Sequence, residues 1–164
     1  MAWESLTDER IEELLSTPKR ILNPGARRIT KPGHWQKNFN VLATDGSVAF
    51  TLFVRQNSDL AEDFSVGLRL DQQGTEPLML VRYNGPNHDH PNKLEGTKCE
   101  GSCHIHKATQ RYIQAGRKPE GFAESTERYR TNEGALSCLV KDCNISGINP
   151  EPDNTNQTEL FGSW

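Results

Sequence analysis

The chain has 164 residues, of which 34% are hydrophobic and 25% charged, and its net charge is -3. This length predicts one domain with one modest core, and no window approaches the roughly 18 apolar residues of a membrane-spanning helix. The N-terminal residues MAWESLTDER lack the basic and apolar regions of a secretory signal. We therefore expect a cytoplasmic protein that contacts no membrane and whose four cysteines are reduced.

Residues 5–17, SLTDERIEELLST, predict an amphipathic helix at the start of the chain. Thr7 is a favourable N-cap residue, and the acidic side chains after it suit the positive end of the helix dipole. Pro18 would end the helix, because proline lacks the backbone N–H that a further turn needs. One apolar stripe would face the core: Ile11, Leu14 and Leu15.

Residues 18–34 contain three prolines and two glycines, and we expect them to form an irregular arm with a short extended piece around residues 28–30. Four antiparallel strands in a meander should follow, because apolar and polar residues alternate there. The connections are also short, as at the Asp45-Gly46 hairpin turn. The strands are predicted at residues 36–44, 47–55, 64–71 and 77–83.

The second half of the chain predicts more helix than strand. Residues 103–107 are compatible with a fifth strand or with a helix, and helices are predicted at residues 108–115 and 131–143. Residues 147–164 are polar and acidic, which is typical of a flexible tail. The predicted fold class is therefore α+β, with one domain over residues 1–146. An antiparallel sheet of four to five strands would carry the N-terminal helix and two C-terminal helices against one face.

Basic residues are concentrated near the N-terminus, and residues 18–44 contain no acid. Such a cluster is typical of a surface for a polyanion, and Trp35 and Phe39 beside it suit single-stranded nucleic acid. The alternative interpretation is a solvated basic loop, with Phe39 in the core. The predicted nucleic-acid-binding residues are Lys19, Arg20, Arg27, Arg28, Lys31 and Lys37.

Four of the five histidines lie in two H-x-H pairs, at residues 88–90 and 104–106. If a pair lies on a strand, both of its histidines face the same side, because strand side chains alternate. A neutral and a protonated imidazole supply the base and the acid for metal-independent RNA cleavage, and a nearby cation would stabilise the phosphorane. The candidate catalytic residues are His90, His104, His106, Arg82, Arg111, Tyr83 and Tyr112.

Cysteines in the same segment keep a zinc site open as an alternative, since thiolates and imidazoles are zinc ligands. The preferred prediction has no metal and no cofactor, because the spacing is not C-x-x-C and adjacent Cys103 and His104 would diverge on a strand. The alternative ligand set is His88, Cys99, Cys103 and His106. No dinucleotide-binding, P-loop or serine-hydrolase motif occurs, which leaves ATP use, dinucleotide binding and serine hydrolysis unsupported.

Several segments, spaced as they are here, resemble a family of small uncharacterised bacterial proteins over residues 5–145. These segments are FTLFVRQN, DFSVGL, LVRYNGPNHDHPN, CHIHKATQRYIQAG and GALSCLVKDC. The chain is similar, more weakly, to small toxin components of bacterial toxin–antitoxin modules. The matching parts are Arg82, Tyr83, Asn84, His88, His90 and residues 134–143. That likeness implies an antitoxin partner that covers the basic arm or the histidine cleft.

Together these patterns predict a toxin-like, RNA-directed protein, with metal-independent ribonuclease activity at the histidine cluster and RNA as its partner. The alternative prediction is a non-enzymatic binding module. It would be a zinc-stabilised adaptor, or a phage or host-defence protein that acts by docking on another protein. Zinc whose removal melts the fold would favour the binding module.

Overall fold

The structure is a computed structural model and describes residues 3–150. Within that range it contains three helices and eleven strands. The helices are α1 (Asp8–Ser16), α2 (Gln110–Gln114) and α3 (Asn132–Asp142). The strands are β1 (Lys19–Ile21), β2 (Ile29–Lys31), β3 (His34–Ala43), β4 (Ala49–Asn57), β5 (Phe64–Asp71), β6 (Leu78–Asn84), β7 (His90–Asn92), β8 (Thr97–Cys99), β9 (His104–Lys107), β10 (Phe122–Ser125) and β11 (Ile145–Ser146).

Local capping signals set where the helices begin. The Thr7 side chain accepts a hydrogen bond from the Arg10 N–H at the start of α1, and Thr131 accepts one from the Gly134 N–H at the start of α3. The predicted N-cap Thr7 is confirmed, and Thr131 caps the helix that was predicted at residues 131–143. The predicted apolar stripe of α1 is also confirmed, since all three of its residues are buried: Ile11, Leu14 and Leu15.

The main sheet is larger than predicted and is mixed rather than antiparallel. Its strand order is β10-β9-β6-β5-β4-β3-β1-β11, and β2 pairs with β3 as a ninth strand. The predicted meander is present as β3 to β6, each strand antiparallel to the next. The additional pair β1–β11 is parallel, which makes the sheet mixed.

The additional strands are too short to show a period of two in the sequence. The arm predicted as irregular contributes β1 and β2, of three residues each, and every residue of β2 is exposed. Backbone hydrogen bonding to β3, rather than an alternating apolar pattern, makes them strands. A prediction of four to five strands was therefore too low.

Helices α1 and α3 lie on the same face of the sheet. Glu12 of α1 forms an ion pair with Lys107 of β9, and Asp142 of α3 accepts a 2.5 Å hydrogen bond from the Tyr83 hydroxyl of β6. The hydrophobic core fills the space between these helices and the sheet. We call the opposite face of the sheet, which carries Phe53 and the even-numbered residues at the end of β6, the distal face.

The start of the predicted tail packs on the domain. Ile148, two residues past the predicted boundary at residue 146, is partly buried against the core. The remaining part of the predicted tail, residues 151–164, lies outside the described residues. The four cysteines, all of which lie within residues 3–150, form no disulfide with one another. Between residues 3 and 150, no helix is long and apolar enough to cross a membrane.

Candidate functional site

Two rows of side chains cross the distal face side by side, one residue from each strand. The strand register fixes both rows, because residues paired across neighbouring strands project to the same face. The first row is Gln36, Arg55, Ser65, Asn84 and His104, and the second is Asn38, Phe53, Gly67, Arg82 and His106. An arginine and an amide from β6 therefore stand directly beside the two histidines of β9.

Residues 104–107 form strand β9, which is the condition that the H-x-H interpretation required. His104 and His106 share the distal face, while Ile105 packs against the core on the other side. Both histidines are almost fully buried, with 2% and 3% of their surface exposed. They are covered by the loop over residues 85–103, which joins β6 to β9 and contains the short strands β7 and β8.

That loop folds back over the distal face and is held there by contacts with the backbone of other segments. Gly85 begins it at a crowded point, where a Cβ atom would lie 2.2 Å from the carbonyl oxygen of Glu62. Further along, the Asn92 amide donates a 2.9 Å hydrogen bond to the Ala123 carbonyl and accepts one of 2.9 Å from the Ala123 N–H. These contacts bring His90 onto the two buried histidines.

The three imidazoles form a compact cluster. Their ring centroids are 4.5 Å apart for His90 and His106, 5.1 Å for His104 and His106, and 6.0 Å for His90 and His104. Each ring has one nitrogen at a backbone carbonyl: His90 Nε2 at Gly121 (2.6 Å), His104 Nδ1 at Ser102 (3.0 Å) and His106 Nδ1 at Glu120 (2.9 Å). A carbonyl only accepts, so each of these nitrogens carries a proton. The other nitrogen of a neutral ring is then an acceptor.

The buried histidines favour the neutral form. Burial lowers the pKa of His106 to about 3, and the charge of Arg82 contributes in the same direction. Burial also lowers the pKa of His104, with a smaller contribution from Arg82. At neutral pH both rings are therefore neutral, and His104 is in the form that a general base requires.

Two polar atoms beside the histidines have no partner among residues 3–150. They are the Nε of Arg82, which is a donor, and the Oδ1 of Asn84, which is an acceptor. Leaving such an atom buried and unpaired costs about 1–3 kcal/mol, so native proteins rarely do so. A ligand that offers both an acceptor oxygen and a hydroxyl donor would satisfy both atoms.

A cavity of about 210 Å³ opens at this point, next to the loop. Its polar lining consists of Arg55, Asp63, Ser65, Arg82, Asn84, Asn87, His88 and His104. Within the described chain neither arginine forms a salt bridge, whereas Asp63 accepts a 3.0 Å hydrogen bond from Asn57. Two unpaired guanidinium groups make the cavity suitable for an anion.

Tyr83 does not belong to this site. It lies on the core side of β6, where its ring stacks on Tyr129 at 5.8 Å and its hydroxyl donates to Asp142. Burial raises the pKa of Tyr83, which keeps the phenol protonated. The structure therefore places Tyr83 away from the predicted catalytic group, because its neighbour Arg82 and not Tyr83 faces the histidines.

Arg111 and Tyr112 lie on α2, and their side chains bind Glu95 rather than lining the cavity. The Arg111 guanidinium forms an ion pair with Glu95, and the Tyr112 hydroxyl donates a 2.6 Å hydrogen bond to the same carboxylate. The Arg111 guanidinium also lies 4.8 Å from the centroid of the Phe122 ring. Neither residue lines the cavity.

The alternative zinc ligands are not brought together. Cys103 is buried in the core, whereas His106 faces the distal side of the same strand region. Cys99 lies 3.5 Å from the Ala123 carbonyl oxygen, and His88 is exposed at the cavity. In the described part of the chain, no group of three or more histidine, cysteine, aspartate or glutamate side chains is arranged to hold a metal ion.

The predicted basic surface is divided by the fold. Lys19 is only 1% exposed and its ammonium group donates to three backbone carbonyls, so it lies outside the exposed basic surface that was predicted to contact nucleic acid. The Arg28 guanidinium lies 4.0 Å from the centroid of the Trp35 ring. Four of the remaining residues are exposed and one, Lys37, is partly buried: Arg20, Arg27, Arg28, Lys31 and Lys37. Phe39 is in the core, as its alternative interpretation held.

Several residues of the site were not identified from the sequence. Strand register places Arg55, Ser65 and Asn84 in the site, and Asn92 anchors the loop that covers it. The alternation of β4 to β6 already indicated that the first three are not core residues. Their meeting beside His104 depends on pairing among four strands, which no local pattern specifies.

Comparison with known proteins supports a family but no function. No curated protein and no solved structure matches the chain. A family described as "Family of unknown function (DUF6978)" matches residues 6–145. This range agrees with the resemblance to an uncharacterised family over residues 5–145, while the weaker likeness to toxins gains no support. The chain belongs to DUF6978, a family of unknown function.

Proposed function

We propose that the distal-face cavity binds a phosphodiester of RNA and that the protein is a metal-independent ribonuclease. The observation that supports this proposal is that Arg82, Asn84 and His104 line one cavity. The Nε of Arg82 and the Oδ1 of Asn84 are both buried there without a partner among the described residues. Phosphate oxygens would accept hydrogen bonds from the guanidinium groups of Arg82 and Arg55. A ribose hydroxyl would donate to the Oδ1 of Asn84, which is the type of contact that separates RNA from DNA.

The chemistry needs one base and one acid. The neutral ring of His104 donates through Nδ1 to Ser102, so its Nε2 is the nitrogen that accepts the proton of the 2′-hydroxyl. The 2′-oxygen then forms a bond to phosphorus while the bond from phosphorus to the 5′-oxygen breaks. His88, exposed at the cavity, donates a proton to that leaving oxygen. The products are a 2′,3′-cyclic phosphate and a 5′-hydroxyl.

His90 and His106 then act as positioning residues behind His104. His106 lies beneath the loop with its Nδ1 on the Glu120 carbonyl, and His90 is fixed by the Gly121 carbonyl. This differs from the predicted catalytic set, in which His90, His104 and His106 shared the acid–base work. In a toxin–antitoxin setting, an antitoxin would inhibit the protein by covering this cavity.

A His104→Asn substitution tests the proposed base. Asparagine retains a donor near the position of Nδ1 for the Ser102 carbonyl but has no group at Nε2. We expect the full chain to cleave a labelled single-stranded RNA in the presence of EDTA, and the variant to be about a hundredfold slower. The matched control is His34→Asn, which alters a histidine on β3 outside the cavity. Equal rates for wild type and the folded His104→Asn variant would contradict the proposal.

An Arg82→Gln substitution tests the proposed phosphate contact. Glutamine is uncharged and lacks the guanidinium fork, so we expect RNA binding to weaken about tenfold. Fluorescence anisotropy with a labelled 2′-O-methyl RNA prevents cleavage and reports the phosphate contacts, since this probe lacks the hydroxyl that donates to Asn84. Unmodified RNA bound to the cleavage-deficient His104→Asn variant is the matched measurement with that hydroxyl present. The control is Arg69→Gln, which removes a distal-face arginine that pairs with Asp71 away from the cavity. A similar affinity for both variants would show that Arg82 makes no special contact.

The second candidate is the non-enzymatic binding module, and the burial of the histidines favours it. His104 and His106 expose only 2% and 3% of their surface, which suits a structural cluster under the loop as well as a catalytic one. In that case the wild-type protein would bind the 2′-O-methyl RNA through Arg82 but leave ordinary RNA intact. The two assays above therefore separate the two candidates.

A further inference from the structure

Phe53 has an unusual position on the distal face. It is partly exposed, although most large apolar side chains of β4 point into the core. It occupies the second row, between Asn38 of β3 and Gly67 of β5. Because α1 and α3 cover the other face, no long helix from residues 3–150 lies over this ring.

The missing side chain of Gly67 determines where the ring lies. A Cβ atom at Gly67 would be 2.3 Å from Cε1 and 2.6 Å from Cζ of Phe53, so the ring occupies the space directly above Gly67. The register partner of Gly67 on the next strand is Arg82. The ring therefore extends from β4 across β5 toward the arginine of the cavity.

Polar side chains and one methionine lie near this ring on the open side of the sheet, where the Met79 sulfur is 3.1 Å from the position of a Cβ atom at Gly67. Asn38 beside it is exposed, and its Oδ1 accepts a 2.9 Å hydrogen bond from the Gln36 side chain. A flat aromatic side chain next to a cation and to side-chain amides is the arrangement that proteins use for unpaired bases. Such bases stack on the ring, while the cation holds the adjoining phosphate.

We propose that Phe53 stacks on a base next to the phosphate bound at Arg82, and that the substrate is single-stranded RNA. This inference rests on the proposed function and adds the substrate class and the residue that selects it. The reason for the selection is steric. In a duplex both faces of a base are covered by its neighbours, so the ring has nothing to stack on.

The test compares binding of single-stranded and double-stranded 2′-O-methyl RNA to the full chain. We expect wild type to bind the single strand at least about tenfold more tightly, and Phe53→Leu to lose about tenfold for the single strand only. Leucine preserves an apolar side chain but not a stacking surface. The matched control is Phe122→Leu, since Phe122 is also partly exposed but lies on the helix-bearing face. That variant should bind like wild type.

Gly67→Ala is a second and independent variant. Its methyl group would displace the Phe53 ring, so we expect a similar loss for the single strand, with no further loss when it is combined with Phe53→Leu. Thermal unfolding confirms that each variant is folded, and Phe53→Leu remains decisive if Gly67→Ala does not fold.

The possible outcomes separate this inference from the proposed function. Weaker binding by Arg82→Gln with unchanged binding by Phe53→Leu would overturn the stacking role and leave the phosphate site in place. Equal affinity of wild type for the two forms of RNA would overturn the substrate class. Absence of binding both by wild type to the 2′-O-methyl RNA and by His104→Asn to unmodified RNA would overturn both proposals.

Discussion

Substitution of Lys19 by methionine should lower the free energy of unfolding by about 3 kcal/mol. The Lys19 ammonium group donates to the carbonyls of Leu15 (2.8 Å), Thr17 (2.8 Å) and Cys143 (2.7 Å). These carbonyls belong to the C-terminal ends of α1 and α3, where the helix dipoles are negative and further donors are lacking. Each buried carbonyl left unpaired costs about 1–3 kcal/mol, and removal of a buried charge offsets part of the total.

Lys19 is charged at neutral pH in spite of its burial, which lowers its pKa to about 8. Chemical denaturation of wild type, Lys19→Met and Arg20→Met measures the effect. Arg20 is the matched control because it is the next residue on β1 and is exposed, so its replacement should change stability by at most about 0.5 kcal/mol. Similar midpoints for the two variants would show that the three carbonyl contacts contribute little.

Acidification from pH 6.5 to pH 3 should destabilise the protein by up to about 5 kcal/mol through His106 alone. The pKa of His106 is about 3 in the folded protein, compared with about 6.5 for a free imidazole. Between these values the unfolded chain binds the proton and the folded protein does not. The contribution of His106 to the free energy of unfolding is therefore fully present above pH 6.5 and is lost as the pH falls toward 3.

The environment of His106 explains why a proton is not accommodated there. His90 and His104 face it within the cluster, Arg82 is its register partner on β6, and its Nδ1 already donates to the Glu120 carbonyl. A second positive charge next to Arg82 would be buried without a counter-ion among these groups. We therefore expect acid to open the loop over β9 before the meander unfolds.

His106→Asn isolates this contribution from the carboxylates that titrate in the same range. Asparagine retains a donor for Glu120 but does not titrate, so the stability of the variant should fall less steeply with acid than that of wild type. The measurement is the free energy of unfolding at a series of pH values, with His34→Asn as the control. If wild type and His106→Asn gave parallel curves, His106 would not be the group responsible.

Local patterns predicted much of the helix and strand content correctly. The threonine caps of α1 and α3 and the alternation in β3 to β6 act over a few residues, so they are visible without knowledge of the fold. The same locality explains why β1 and β11 were not predicted, and why only a short extended piece was expected where β2 lies. Strands of two or three residues depend on a partner strand distant in the sequence, as β11 does on β1.

The candidate site was only partly visible in the sequence, and the histidine pair shows why. Alternation places His104 and His106 on one side of any strand, whatever the fold. Their burial depends on the loop, which Asn92 anchors to Ala123, 31 residues away. Tyr83 and Arg82 were predicted together because they are neighbours, yet the sheet places them on opposite faces.

By itself, the sequence determined the caps, the meander and the shared face of the two histidines, because each depends on contacts within one element. The tertiary structure decided which residues meet. It buried Lys19 between two helix ends instead of in a basic surface, and it aligned Arg55, Asn84 and His104 across neighbouring strands. Strand register and loop closure are long-range choices, whose free energy comes from burial of the whole sheet rather than from any single segment.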